Sequence, residues 1–390
     1  MVDGAACIWA KLFAENLKPT TDYWLLTMSW TCGIIGLPNA GKTTIFNALT
    51  AGHAEVASYP FSTIAPNTGV VPVPDPRLTE LGRLLKPQKL TFATIEFVDV
   101  AGLIEGASQG EGLGNQFLAA IREVDLLVHV VRCFAAGSCP HPLVGLDPKR
   151  DVEVVETELL LSDLEIIGRQ RLKAEKAAKA GDKAATAALA VLLKVEEGLN
   201  RGQWARDLGL SAQELGYLQA TPLLTLKPCL FVANLSEEEF HDGPHYTGMK
   251  QLAAARSAPV VPILGDLEVE LQDFPPEERR EFLQGLGLEE PGIYRLVRES
   301  QRLLELVTFY TIAGVEVRAW HVPAGTPAPQ AAGRVHSDME KGFIRAEVMR
   351  LDDLTRLGSP ARVREAGRLH SEGREYLVQD GDILLFRFQR

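Results

Sequence analysis

The sequence has few cysteines, five in 390 residues, at positions 7, 32, 133, 139 and 229. The count is odd, with no C-x-x-C pair and no metal-ligand spacing, which excludes a disulfide scaffold or zinc ribbon and fits a reducing compartment. No apolar run reaches the roughly eighteen residues needed to cross a bilayer. The stretch Met1 to Gly4 also lacks the basic start of a signal peptide, so a cytoplasmic protein without a membrane partner is expected. Positive charge is the scarcer sign. There are 40 basic against 51 acidic side chains, a formal charge of −11, and a chain so charged does not coat nucleic acid with its whole surface. Local basic patches remain open. What is present is a globular composition, 46% hydrophobic and 23% charged, with length for two or three domains at roughly 150 residues each.

The most informative stretch is Gly36 to Thr44, G-L-P-N-A-G-K-T-T. It fits G-x-x-x-x-G-K-[ST], with the strand-like Cys32 to Ile35 before it and the helical Thr44 to Leu49 after it, which is the context a phosphate-binding loop requires. Glycines let backbone amides wrap the phosphates, Lys42 neutralises the β and γ oxygens, and the Thr43 hydroxyl ligates Mg²⁺. Thr94 to Gly102, T-I-E-F-V-D-V-A-G, supplies the second part: Asp99 holds Mg²⁺ through water and the Gly102 amide senses the γ-phosphate. Between them, Thr63 lies in a proline-punctuated loop 20 residues beyond Thr43, placed like a switch-loop hydroxyl on the same ion. An exposed turn is the alternative.

The base-reading element is where the pattern departs from a GTPase. A guanine reader is N-K-x-D after a buried strand, whereas here Pro228 to Ala233 runs into Asn234-Leu235-Ser236-Glu237. The aspartate of that motif accepts from guanine N1 and N2, and adenine offers neither donor. Without Lys and Asp, adenine is held by apolar contact from Leu235 and main-chain polar groups, so ATP fits at least as well as GTP. Catalysis is weakly marked. Leu103 occupies the place of the water-orienting Gln, and leucine neither donates nor accepts a hydrogen bond, which predicts slow intrinsic hydrolysis. The remaining candidates are Asn39, as part of a K⁺ site, and His141 in a Gly-Ser-Cys-Pro-His loop, for which a plain exposed histidine is the favoured alternative.

From Asp151 to Glu165 there are six acidic residues and no basic one, then from Arg169 to Lys194 seven basic against two acidic. Apolar residues at Val154, Leu161 and Leu164, and at Ala184, Ala188, Val191 and Val195, recur at helical spacing on both sides of Ala180-Gly-Asp182. This predicts an antiparallel helical hairpin with a basic tip, either a solvated face or an RNA-contacting arm. Past Leu306, strand-like runs at Val307 to Ile312, Glu316 to His321 and Asp382 to Phe388, with Gly-Pro turns, predict a small β-rich module.

Together, the phosphate loop, the run Tyr59 to Pro72, the run Asp99 to Asn115, Val130 to Phe134 and N-L-S-E at Asn234 to Glu237 resemble the YchF-type branch of the Obg-related GTPases, over about residues 31 to 390. The resemblance implies an α/β fold: a P-loop nucleotide-binding domain of residues 31–150 and 205–304, a hairpin insertion at 151–204, and a β-grasp, ubiquitin-like TGS domain at 305–390. Residues 1–30 are expected to be an N-terminal extension, with a misassigned start as the equal alternative. It further implies a Mg²⁺-dependent ATPase that prefers ATP over GTP and binds the large ribosomal subunit, with ribosomal RNA reached through the hairpin and TGS domain. Asn39, Ala40, Gly41, Lys42, Thr43, Thr44, Asn234 and Leu235 would contact nucleotide, and Thr43 and Thr63 the ion. Leu264-Gly265-Asp266 departs from the family's Ser-Ala or Cys-Ala turn, which bears on how strictly ATP is selected. A GTPase of this architecture, or a docking module with a mainly structural nucleotide site, are the other readings.

Overall fold

The computed structural model describes residues 29–50, 67–100, 113–135, 140–240 and 243–389. Thr63, Gly102, Leu103 and the segment before Ser29 lie outside the described residues. The chain divides into two units. One comprises Trp30–Val71 and Glu96–Leu303; the other comprises Pro72–Ile95 and Leu304–Arg390 together with Ser29.

The first unit is built on the sheet β2-β4-β1-β5-β6-β7, formed by β1 (Thr31–Ile35), β2 (Asn67–Pro72), β4 (Thr94–Asp99), β5 (Leu126–Cys133), β6 (Cys229–Leu235) and β7 (Val260–Ile263). Strands β4, β1, β5, β6 and β7 pair in parallel. Every residue of β5 and of β6 is buried, the polar His129, Arg132 and Asn234 among mainly apolar neighbours, as in a sheet covered on both faces. In such a sheet, loops at the carboxyl ends of the strands form the binding crevice. The phosphate loop after β1, Asp99 at the end of β4 and Asn234 near the end of β6 all lie there.

Two long helices, Pro148–Lys179 and Lys183–Asn200, form the expected hairpin. Asp147 caps the first, accepting from Arg150 N at 3.1 Å with Pro148 at the first turn, and Asp182 caps the second through Ala184 N and Ala185 N. The hairpin begins at Pro148, three residues before the expected boundary at 151. Its buried stripe also differs from the sequence pattern. Val152, Val155, Leu159 and Ile167 are buried, whereas Leu161 is exposed and Ala184 lies at the open tip. The reason is Asp163, fully buried on the inner face, where it accepts from Leu224 N at 3.0 Å, Thr225 N at 2.8 Å and Thr225 Oγ1 at 2.7 Å. A carboxylate so satisfied sits where the apolar period demands a leucine.

The second unit carries the sheet β11-β10-β12-β8-β9-β3, from β3 (Lys89–Thr91), β8 (Leu306–Ala313), β9 (Glu316–Pro323), β10 (Phe343–Arg350), β11 (His370–Glu372) and β12 (Asp382–Phe388). Strands β8 and β9 form an antiparallel hairpin, and the final β12 lies parallel to β8 between it and β10. That order, with the helix Ala328–Val335 packed on the sheet, is the expected β-grasp. The boundaries need two changes. The expected 31–150 domain encloses Pro72–Ile95, but β3 pairs with β9, and Leu78 and Leu81 share a core cluster with Tyr310 and Val317. Trp30, placed by sequence in an extension, is buried and its carbonyl accepts from Glu96 N at 2.8 Å.

Candidate functional site

Two glycines shape the phosphate loop. Gly36 has φ +145°, and a Cβ there would lie 2.3 Å from the Val130 carbonyl oxygen; Gly41 has φ +92°, and its Cβ would lie 2.1 Å from Asn234 Nδ2. No other residue fits either place without moving backbone or the Asn234 amide. Asn39 also takes a left-handed conformation, φ +62°, and its Nδ2 donates to the Pro140 carbonyl at 3.0 Å. Ala40 closes the turn onto Leu37.

Lys42 opens the helix Lys42–Thr50 and is buried, its Nζ donating to the Leu37 carbonyl at 2.9 Å. Burial pulls its ammonium down to about 8, against the opposing pull of Asp99. Thr43 is exposed and Thr44 half-buried on the next positions. The Thr43 hydroxyl donates to Asp99 Oδ2 at 2.9 Å, across 56 residues of chain. Burial raises the Asp99 carboxyl while the Thr43 hydrogen bond and Lys42 lower it. A hydroxyl and a carboxylate side by side at an open mouth, with a lysine behind, are hard oxygen donors that fit Mg²⁺ shared with phosphate.

Asn234 does more than sequence assigns to it. Its Nδ2 donates to the Ala40 carbonyl at 3.1 Å and its Oδ1 accepts from Gly265 N at 3.1 Å, tying the phosphate loop to the loop after β7. Gly265 is needed there, since a Cβ would lie 2.8 Å from Asn234 Oδ1. Leu235 is buried in a cluster with Leu264 and Met249, so its side chain is part of the core. Glu237 and Asp266 are exposed. Beneath this loop Glu268 accepts from Gly292 N at 2.5 Å, and burial raises its carboxyl to about 7.

His141 is not the exposed loop histidine that sequence favours. Its Nε2 lies 2.7 Å from Asp151 Oδ2, its Nδ1 3.1 Å from Leu143 N, and it borders Leu37, Pro38 and Ala40 of the phosphate loop. Both ring nitrogens are engaged. Asp151, which anchors it and also pairs with Arg150 at 3.1 Å, was missed by sequence reasoning. The available signal was an Asp-Pro cap at Asp147 and Pro148 that puts Asp151 in a helix's first turn.

A family model described as "50S ribosome-binding GTPase" matches residues 31–168, and one described as "Protein of unknown function (DUF933)" matches residues 306–389. The chain is 47% identical over 361 residues to the ribosome-binding ATPase YchF of Escherichia coli O157:H7, covering 93% of this chain and 99% of that protein. It is 43% identical over 364 residues to the protein of the same name from Bacillus subtilis (strain 168), covering 93% of this chain and all of that one. The chain belongs to the YchF family. A solved structure, the Schizosaccharomyces pombe YchF GTPase, superposes with TM-score 0.82 at 32% identity, covering 92% of this chain and 98% of that one. The likeness therefore runs through both units. YchF relatives are named both ATPase and GTPase, so the choice of base has to be argued from Asn234 to Glu237 and the Gly265 loop. Among the described residues no helix is long and apolar enough to cross a membrane.

Proposed function

We propose that this protein is a Mg²⁺-dependent ATPase of the cytoplasm whose nucleotide state governs its binding to the ribosome; its YchF relatives are named ribosome-binding ATPases. The observation that carries the nucleotide choice is the double hydrogen bond of Asn234. With its amide committed to Ala40 O and Gly265 N, Asn234 frames the base pocket, and Leu235, buried next in line, replaces the lysine of a guanine reader. The residue at the guanine-reading position is Glu237, which is exposed at the start of the short helix Glu237–Phe240. Because the Leu235 side chain packs into the core, adenine in this site would be held by main-chain groups and not by the expected Leu235 side-chain contact, and guanine's N1 and N2 donors would meet no fixed acceptor.

Lys42 carries positive charge to the β and γ oxygens, and Gly41 to Thr44 present amides at the helix start. Thr43 and, in the segment before β2, Thr63 would hold Mg²⁺, with Asp99 acting through water, and the ion would supply positive charge beside the phosphates. Gly102 senses the γ-phosphate. Leu103 leaves the attacking water without a side-chain partner, and His141 is held by Asp151 and Leu143, so unassisted turnover is slow. Asn39 commits Nδ2 and not Oδ1 to Pro140, which suits K⁺ as a supplementary charge. Ribosomal RNA of the large subunit is the partner for the hairpin tip, where Lys173, Lys176, Lys179 and Lys183 are exposed without an ion pair among the described residues.

Affinities and turnover for ATP and GTP, measured in parallel with and without ribosomes, test the proposal. Tighter ATP binding and turnover accelerated by ribosomes are expected. GTP bound tenfold tighter than ATP would overturn the base assignment. If Lys42→Ala co-sedimented with ribosomes as wild type does whichever nucleotide is present, the docking-module reading would stand instead.

A further inference from the structure

The short helix Gly265–Glu270, which follows β7, is fastened at two points. At its start Gly265 N donates to Asn234 Oδ1 at 3.1 Å, and through Asn234 Nδ2 the link continues to the Ala40 carbonyl of the phosphate loop. One turn on, Glu268 is 3% exposed, and its Oε1 accepts from Gly292 N at 2.5 Å, at the amide end of the helix Gly292–Leu303. A Cβ on Gly292 would lie 2.9 Å from that oxygen and 3.2 Å from the Pro262 carbonyl oxygen, so the close approach depends on glycine. Arg295 of the same helix donates to the Pro262 carbonyl at 3.2 Å, closing the contact onto β7.

The Glu268 carboxyl is only half satisfied. Its Oε2 is buried and has no hydrogen-bond partner among the described residues. The charged groups around it are Arg295 and, on the helix Pro276–Gly285, Arg279. Both favour the ionised form, yet both direct donors at main-chain carbonyls, Arg279 at those of Gln272 and Phe274, 3.3 Å away in each case. Asp266, Glu270 and Asp273, beside it in the chain, are exposed; β7 carries no charge, and the helix Lys42–Thr50 packed against it carries only Lys42. Burial outweighs the arginines and the Gly292 and Ile293 amides together, and lifts the carboxyl to about 7. An ionised carboxylate holds a backbone amide about twice as strongly as a neutral carboxyl does. The grip on Gly292 therefore changes where the group titrates.

We propose that Glu268 is a positioning residue for the nucleotide base: its ionised carboxylate, held at the amide end of Gly292–Leu303, sets the helix Gly265–Glu270 so that the Gly265 amide meets Asn234. This role rests on the reading that Asn234 and Gly265 border the base. The phosphates meet Lys42 and Thr43 instead, so the effect belongs to the base and not to the triphosphate. Protonation loosens the contact and a bound base favours the tight one, so below pH 7 binding must draw a proton off Glu268, whereas above it the carboxylate is already formed. The base's share of the affinity rises with pH to about 7 and then levels.

The test uses the full chain with Mg²⁺ and compares, by calorimetric titration from about pH 6 to pH 8, ATP with inorganic tripolyphosphate, which offers the phosphates without a base. The ratio of the two affinities removes the titration of Lys42 and of the phosphates. In the wild type it should rise about fivefold across that range. Glu268→Gln keeps an acceptor for Gly292 N and cannot ionise, so its ratio should stay at the low-pH value throughout. Gly292→Ala, which crowds the same oxygen, should lower the ratio at pH 8 about as far, with thermal melting near that of the wild type showing that both variants fold. A ratio flat with pH in the wild type would overturn the proposal, as would a wild-type ratio in both variants, an equal loss of tripolyphosphate affinity, or a pH response that survives in Glu268→Gln. If GTP binds tighter than ATP, the base assignment fails alone, and the same rise is then read in the ratio of GTP to tripolyphosphate.

Discussion

At the scale of single residues, the site is a set of compromises between burial and charge. Lys42 is buried against the Leu37 carbonyl, and burial outweighs the pull of Asp99, so its ammonium is poised at about 8 rather than near its ordinary value. Phosphate oxygens favour the protonated form and raise that value again on binding. The sign follows: below pH 8 the lysine is already charged and affinity is flat, whereas above it binding must take up a proton. Nucleotide affinity should therefore fall by up to about tenfold per pH unit above pH 8. Calorimetric titration across pH 7 to 10 checks this, and an affinity unchanged across that range would remove Lys42 from the phosphate contact. The residues legible in the sequence were those whose spacing is fixed by local geometry, Gly36, Gly41, Lys42 and Thr43. Asp151 and Asp163 were not legible, because what makes them necessary is a partner elsewhere along the chain: the loop around His141 for one, Leu224 and Thr225 for the other.

At the scale of elements, the hairpin shows where periodicity informs and where it fails. Its turn at Ala180 to Asp182 and its antiparallel course follow from Gly and Asp placement and are found, and the caps at Asp147 and Asp182 were equally legible though not read. The inner face does not, since a spacing rule cannot anticipate that one position holds a buried carboxylate. Near the tip, Arg171 is drawn into pairs with Glu196 at 3.2 Å and Glu175 at 3.7 Å, which leaves the four exposed lysines as the local positive charge. Replacing Lys173, Lys176, Lys179 and Lys183 by Gln should weaken ribosome association and flatten its dependence on salt, by roughly 0.7 to 0.9 log unit for each phosphate no longer neutralised. Co-sedimentation over a salt series measures both. An unchanged slope would identify the tip as a solvated face.

At the scale of the whole molecule, the second unit takes its edge strand and one core helix from a segment that interrupts the first. Leu78 and Leu81 are fully buried beside Tyr310 and Val317; Asp75 accepts from the Tyr310 hydroxyl at 2.5 Å, and Arg77 donates to Asp380 at 2.6 Å. Sequence patterning found β8, β9 and β12 but neither β10 and β11 nor this detour, because the three-residue β3 has no pattern of its own and its pairing partner lies far along the chain, at Glu316. Leu81→Ala should destabilise the second unit by about 2–5 kcal/mol. Chemical denaturation followed by Trp320 fluorescence checks it, and a change below about 1 kcal/mol would mean the helix Pro76–Leu85 is dispensable to that core.

The same detour sets an order of events during synthesis. Pro72–Ile95 leaves the ribosome about 200 residues ahead of the strands that cover Leu78 and Leu81, a wait of the order of ten seconds or more at ordinary elongation rates. During that interval the nascent chain displays an uncovered apolar helix face while the nucleotide unit is still being made. A translation pause before Leu304 would lengthen the exposure, and a holding chaperone would find its target there.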